Sequence, residues 1–154
     1  MFALFALVLT EVTAGCPREE CANEPAPVRV TVVVVLASAE NTTVDPKLKE
    51  LAAEVQKRDK KLKGFKVLET SAKSIAVGDS AKFSLVEKQE LSVKVEKPKD
   101  ENGRVGMTIK PPDLGEIKYT CACDKYFPIV TSYKTKSGET LIIMVMSKPC
   151  AAKK

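Results

Sequence analysis

Nine consecutive residues, Val28-Arg-Val-Thr-Val-Val-Val-Val-Leu36, restrict this chain more than any other segment, because seven of the nine are β-branched. Such side chains crowd the preceding turn of a helix and sit well on a pleated strand. The first half alternates, with Arg29 and Thr31 between valines. The second half is apolar at every position and therefore on both faces, the pattern of a central strand rather than an edge. With 154 residues there is length for one domain built around one core.

A change of period follows. Asp45-Pro46 supplies an N-cap and a proline at the first helical position, and Leu48, Leu51, Ala52, Val55 and Leu62 recur at helical spacing. Gly64 is expected to end this element, so an amphipathic helix is predicted over 45–63. Its other face, with Lys47, Lys49, Glu50, Glu54, Lys57, Arg58 and Lys61, reads as solvated surface. Phe65 to Val77 is then expected as one long extended segment, bent or bulged around Ser71 to Ser74.

The remainder alternates short strands with turn chemistry. Phe83 and Leu85, then Leu91, Val93 and Val95, then Val105, Met107 and Ile109 each alternate with polar neighbours. Asn102-Gly103 marks a turn, Pro111-Pro112-Asp113 stops a strand, and Ile117 to Cys123 resumes extended structure. Ser137-Gly138 links Phe127–Tyr133 to Leu141–Met146, whose unbroken apolar run predicts a second central strand. The predicted fold is mainly β with one helix: an antiparallel β-sandwich or curled sheet of about eight strands, the single helix packed on it. The β-rich domain is assigned to 28–150, with a basic tail at 151–154.

The start of the chain has a different composition. Residues 1–15 form an apolar leader, Met1-Phe-Ala-Leu-Phe-Ala-Leu-Val-Leu-Thr10 followed by Val12-x-Ala14, too short to span a membrane. It reads as an export signal with a small-residue cleavage site, although no lysine or arginine precedes the apolar run. The alternative is that it is retained as a strand. Residues 16–27 carry three prolines and form an extended tether. Thr13-Ala14-Gly15-Cys16 resembles a bacterial lipobox over those four residues, with threonine in place of the usual first leucine. That resemblance implies lipidation of Cys16 and attachment to a membrane. Export implies a secreted, extracellular or cell-surface location.

Five cysteines, Cys16, Cys21, Cys121, Cys123 and Cys150, are the disulfide candidates, and their odd number leaves a free thiol, a lipid anchor or an intermolecular bridge. Cys16 and Cys21 are spaced to close a small loop or to bridge neighbouring chains. Cys121 and Cys123 are two apart on a predicted strand, so they share a face with Ile117 and Tyr119. They are expected to fill the core or to pair with Cys150 or Cys21. A thiolate metal site from Cys21, Cys121, Cys123 and Cys150 is the weaker reading, since C-x-C lacks the spacing of paired C-x-x-C motifs. No cofactor or metal is therefore predicted. Asn41-Thr42-Thr43 fits a glycosylation acceptor, making Asn41 a candidate, and equally fits polar helix entry.

Function classes narrow by exclusion. With no histidine, Ser-His-Asp and Cys-His catalysis are ruled out, and the seven glycines are isolated rather than grouped in a phosphate loop. The formal charge is +5, but lysines run from Lys47 to Lys154 without a block that stands out, tryptophan is absent and aromatics are 5%. Nucleic acid is accordingly not expected as a partner, and lysine is expected to blunt sheet edges. The resulting expectation is an exported, non-enzymatic structural protein that self-associates into an extracellular filament or surface assembly by strand addition from its N-terminal segment. Copies of itself are the expected partners, and membrane contact is expected only through a lipid on Cys16. The alternatives are a lipid-anchored binding or adaptor module and, behind it, a cysteine-based metal or redox carrier.

Overall fold

A computed structural model describes residues 25–150. Eight strands occupy Val28–Ser38 (β1), Gly64–Ile75 (β2), Ser80–Ser84 (β3), Glu90–Lys97 (β4), Arg104–Lys110 (β5), Ile117–Ala122 (β6), Tyr126–Lys134 (β7) and Thr140–Pro149 (β8). They form two four-stranded antiparallel sheets, ordered β2-β1-β8-β7 and β3-β4-β5-β6. The sheets pack face to face as a sandwich. A helical segment lies on the first sheet, which is thus the middle of three layers.

That arrangement explains the two apolar runs. Val30, Val32, Val34 and Leu36 of β1 and Leu141, Ile143 and Val145 of β8 meet Leu91, Val93, Val105, Met107 and Ile109 of the second sheet. The alternate residues Val33, Val35, Ala37, Ile142 and Met144 point the other way, against Leu48, Leu51, Ala52 and Val55 of the helix. Both predicted central strands hold the centre of the same sheet and pair with each other from Val28↔Pro149 to Ala37↔Thr140. Asn102-Gly103 and Ser137-Gly138 make their turns with Gly103 and Gly138 at φ of 71° and 85°, the left-handed region that favours glycine.

Three expectations need correction. The helix is shorter than 45–63: a 3₁₀ turn over Pro46–Leu48 leads into α1 at Lys49–Arg58. Its start is as expected, with Asp45 Oδ1 accepting from the Lys47 amide at 3.0 Å. Its end is earlier because Asp59 turns extended and its Oδ1 accepts the Lys61 amide at 3.0 Å, a local bond that competes with helix continuation. Leu62 still reaches the helix-side core, but from the turn.

Gly64 begins β2 instead of capping the helix. A Cβ there would collide with the Asn41 carbonyl oxygen, so glycine is needed for close approach of two backbones. The bulge in β2 falls earlier than 71–74. Val34 pairs with Glu69 and Val35 with Val67, leaving Leu68 unmatched and 45% exposed.

A polar clasp joins the layers at one end. The Tyr133 hydroxyl donates to Glu87 at 2.6 Å and the Lys136 amide donates to the other Glu87 oxygen at 2.9 Å. Glu87 and Lys88 both have left-handed φ, 53° and 63°, so this turn between β3 and β4 is held in a conformation that side-chain sterics disfavour. The bond from Tyr133 holds the Glu87 carboxyl below its ordinary 4.5, helped by the Lys136 amide. The same bond raises the Tyr133 phenol above its ordinary 10.0.

In urea unfolding, Ile143→Ala, between the sheets, should lose about 4 kcal/mol and Leu51→Ala, under the helix, about 2.5 kcal/mol. For the clasp, a depressed carboxyl stabilises the fold above its unfolded value, and that contribution disappears as pH falls through the lower folded value. A raised phenol stabilises below its unfolded value and is lost as pH rises through the folded one. Tyr133→Phe should therefore flatten the stability profile at both the acid and the alkaline end. Unchanged profiles would show that the clasp contributes nothing.

Candidate functional site

At the end of the sandwich where β1 begins, Val28 pairs with Ile75 on one side and Pro149 on the other. The Cys150 amide donates to the Pro27 carbonyl at 2.9 Å, so the preceding chain enters between the ends of β2 and β8. One step away runs the free edge of β2, an end strand of its sheet.

The four end strands differ in protection. Edge β7 contains Pro128, which has no N–H to offer, and its register slips after Val130. Strand β6 is six residues long, and its Tyr119 ring stacks on Phe127 of β7 at 3.8 Å, closing that side of the sandwich. Strand β3 is five residues long and carries the Lys82–Glu90 ion pair. Strand β2 has twelve residues, and among the described residues only its beginning is covered, by amide bonds from Phe65 to Thr43 and from Asp45 to Phe65. Past the Leu68 bulge its sequence is Thr70-Ser-Ala-Lys-Ser-Ile75, small residues with a single charge. Lys73 does not guard the edge: its ammonium bonds the Lys82 carbonyl and lies 5.3 Å from the Phe83 ring centre, tying β2 to β3.

The described thiols cluster near this same end. Cys121 is buried, and its Sγ lies 2.7 Å from Ser147 Oγ. Burial pushes this thiol up, partly offset by the Ser147 bond. Cys123 lies just past β6, half-buried, with its amide donating to Gly103 at 2.9 Å. Both pack on the inter-sheet core with Ile117 and Tyr119, as the period-two reading expects. Cys150 is half-buried, its Sγ 3.7 Å from Ser74 Oγ.

All three are free thiols, so the expected pairing of Cys121 or Cys123 with Cys150 is not formed. Serine hydroxyls, Ser147 and Ser74, lie beside the Cys121 and Cys150 sulfurs in place of a bridge. Cys16, Cys21, the leader at 1–15, most of the tether and the tail at 151–154 lie outside the described residues. Among the described residues no group of three or more cysteine or carboxylate side chains gathers as a metal site.

Asn41 is exposed in the loop after β1, and its Oδ1 accepts the Thr43 amide at 2.9 Å. Its carbonyl faces Gly64, so the residue shapes helix entry. Two open clefts of about 460 and 420 Å³ flank the helix and share Lys47, Tyr126 and Met144. The charged groups lining the larger, Lys47, Glu50, Glu54, Asp124 and Lys125, are all exposed, where water screens them.

One feature escaped the sequence reading. Lys57, Arg58, Lys60, Lys61 and Lys63 are five cations within seven residues. Reading 45–63 as one helix placed Lys57, Arg58 and Lys61 on its solvated face and left Lys60 and Lys63 unassigned. Because α1 stops at Arg58, Lys57 and Arg58 close the helix while Lys60, Lys61 and Lys63 lie in the exposed turn after it. Their density along the chain was the signal that could have found them.

Searches against protein-family models, curated proteins and solved structures give no match for the chain.

The thiol environments predict a labelling order. Under native conditions, iodoacetamide followed by peptide mapping should modify Cys123 and Cys150 well before Cys121. Early modification of Cys121 would contradict its burial against Ser147.

Proposed function

We propose that this chain is an exported, non-catalytic structural protein whose domains join by strand addition, with the N-terminal segment of one copy pairing along β2 of the next. The observation that carries this reading is the unprotected half-edge Thr70–Ile75, which adjoins the point where the N-terminal chain enters β1. An open edge presents a row of unpaired amides and carbonyls, and an extended segment gains a ladder of main-chain bonds by lying along it. Donation requires the apolar leader to be retained rather than cleaved, and Met1–Thr10 is rich in residues that would supply side chains to such a strand. Donation from one copy to the next is a head-to-tail contact, which builds open fibres unless the rotation closes a ring.

The test uses the full chain. Sedimentation velocity should show large species, and removal of residues 1–27 should leave a folded, smaller one. Thr70→Lys combined with Ala72→Lys, both exposed positions, should reduce assembly about as much as the deletion, since edge lysines resist pairing. A full-length monomer at high concentration, or assembly indifferent to the two lysines, would sink the proposal.

A further inference from the structure

The end of α1 and the turn after it carry five cations, Lys57, Arg58, Lys60, Lys61 and Lys63, against one acid, Asp59, a balance of +4 in a chain whose formal net charge is +5. All five cations are exposed. Every ion pair among the described residues involves other lysines or arginines. Asp59 is committed to the Lys61 amide.

Two of the cations have a structural explanation: Lys57 and Arg58 sit in the last turn of α1, where the carbonyl end of the helix favours positive charge. Lys60, Lys61 and Lys63 lie beyond the helix and have none. Holding like charges this close costs free energy in an isolated domain, and an opposing anionic surface would relieve it.

The position of the turn is fixed. The Lys63 amide donates to Ser38, the last residue of β1, at 2.8 Å. The turn therefore lies at the opposite end of the sheet from Val28, roughly 33 Å away at about 3.3 Å per residue along an eleven-residue strand. A cleft of about 240 Å³ beside it is lined by Asp59, Lys61, Leu62, Val130, Ser132 and a further cation, Lys134, two cations against one acid. Val130 is 41% exposed there.

From this we infer that the turn at 57–63, with Lys134, is a docking surface for an anionic lipid membrane. The contact does not require a lipid on Cys16, and it is independent of strand addition. Charge complementarity and chemistry select this occupant. Four of the five cations on the turn are lysines, point charges that adsorb to a field of phosphates without the bidentate geometry an arginine fork serves. No aromatic side chain lines the cleft to stack a base, which disfavours single-stranded nucleic acid. Clusters of four to eight basic residues are the size that holds a protein to anionic headgroups.

The experiment is co-sedimentation of the full chain with phosphatidylcholine vesicles, with and without phosphatidylglycerol, across a salt series. Binding should require phosphatidylglycerol and fall as salt shortens the screening length. The triple variant Lys60→Ala, Lys61→Ala, Lys63→Ala should bind on the order of a hundredfold more weakly. A control with the same charge change at the opposite end, Lys99→Ala, Lys125→Ala, Lys148→Ala, should lose only a few-fold. Equal losses in the two triples would overturn the inference in favour of net charge alone. Salt-insensitive binding to uncharged vesicles would overturn it in favour of the apolar leader. Retention on single-stranded RNA without vesicle binding would replace the membrane by nucleic acid.

Discussion

The pairing of β1 with β8 is the constraint on which the rest of the structure depends. These two strands occupy the centre of the middle layer, and each buries one set of side chains against the second sheet and the other set against the helix. A shift of one residue in their register would exchange the two sets, placing side chains selected for one interface into the other. The ten-pair register without a slip, from Val28↔Pro149 to Ala37↔Thr140, therefore positions both outer layers at once.

The same pairing joins the first and last strands of the domain. Its contacts span more than a hundred residues of sequence, so loop-closure entropy must be met before the central pair can reward it. The second sheet, built from consecutive strands β3 to β6, is local by comparison. The middle layer therefore carries the longest-range contacts of the domain, and Val28 and Pro149 pair at the same end. That end gathers the entry of the N-terminal chain, the free half-edge of β2 and the described cysteines. The opposite end gathers the basic turn and the Glu87–Tyr133 clasp. The domain is polar in the sense that its two ends offer different chemistry: open backbone at one, unpaired positive charge at the other.

Much of this was legible locally. The β-branched run at 28–36 and the apolar run at 141–146 needed only side-chain stereochemistry to read as central strands. The Asp45 cap and the turns at Gly103 and Gly138 were readable because their causes lie within a few residues. Where the reading failed, the cause was a competitor that periodicity does not see. Leu62 continues the helical stripe numerically, yet the Asx bond of Asp59 to Lys61 ends the helix first and delivers Leu62 to the same core from a turn. The bulge at Leu68 is set by registry with the neighbouring strand β1, about thirty residues away in sequence, so local composition pointed to 71–74 instead.

The sequence by itself determined the class of fold, the identity of the two central strands and the existence of one amphipathic helix, since each follows from alternation, branching and capping within a short window. Only the tertiary structure decided which strand edge stays open, that the three described thiols stay unbridged at one end of the sandwich, and that five cations gather where α1 ends. Those properties depend on which strands become neighbours and where a helix stops, and both are settled by competition between distant segments for the same core rather than by any segment alone.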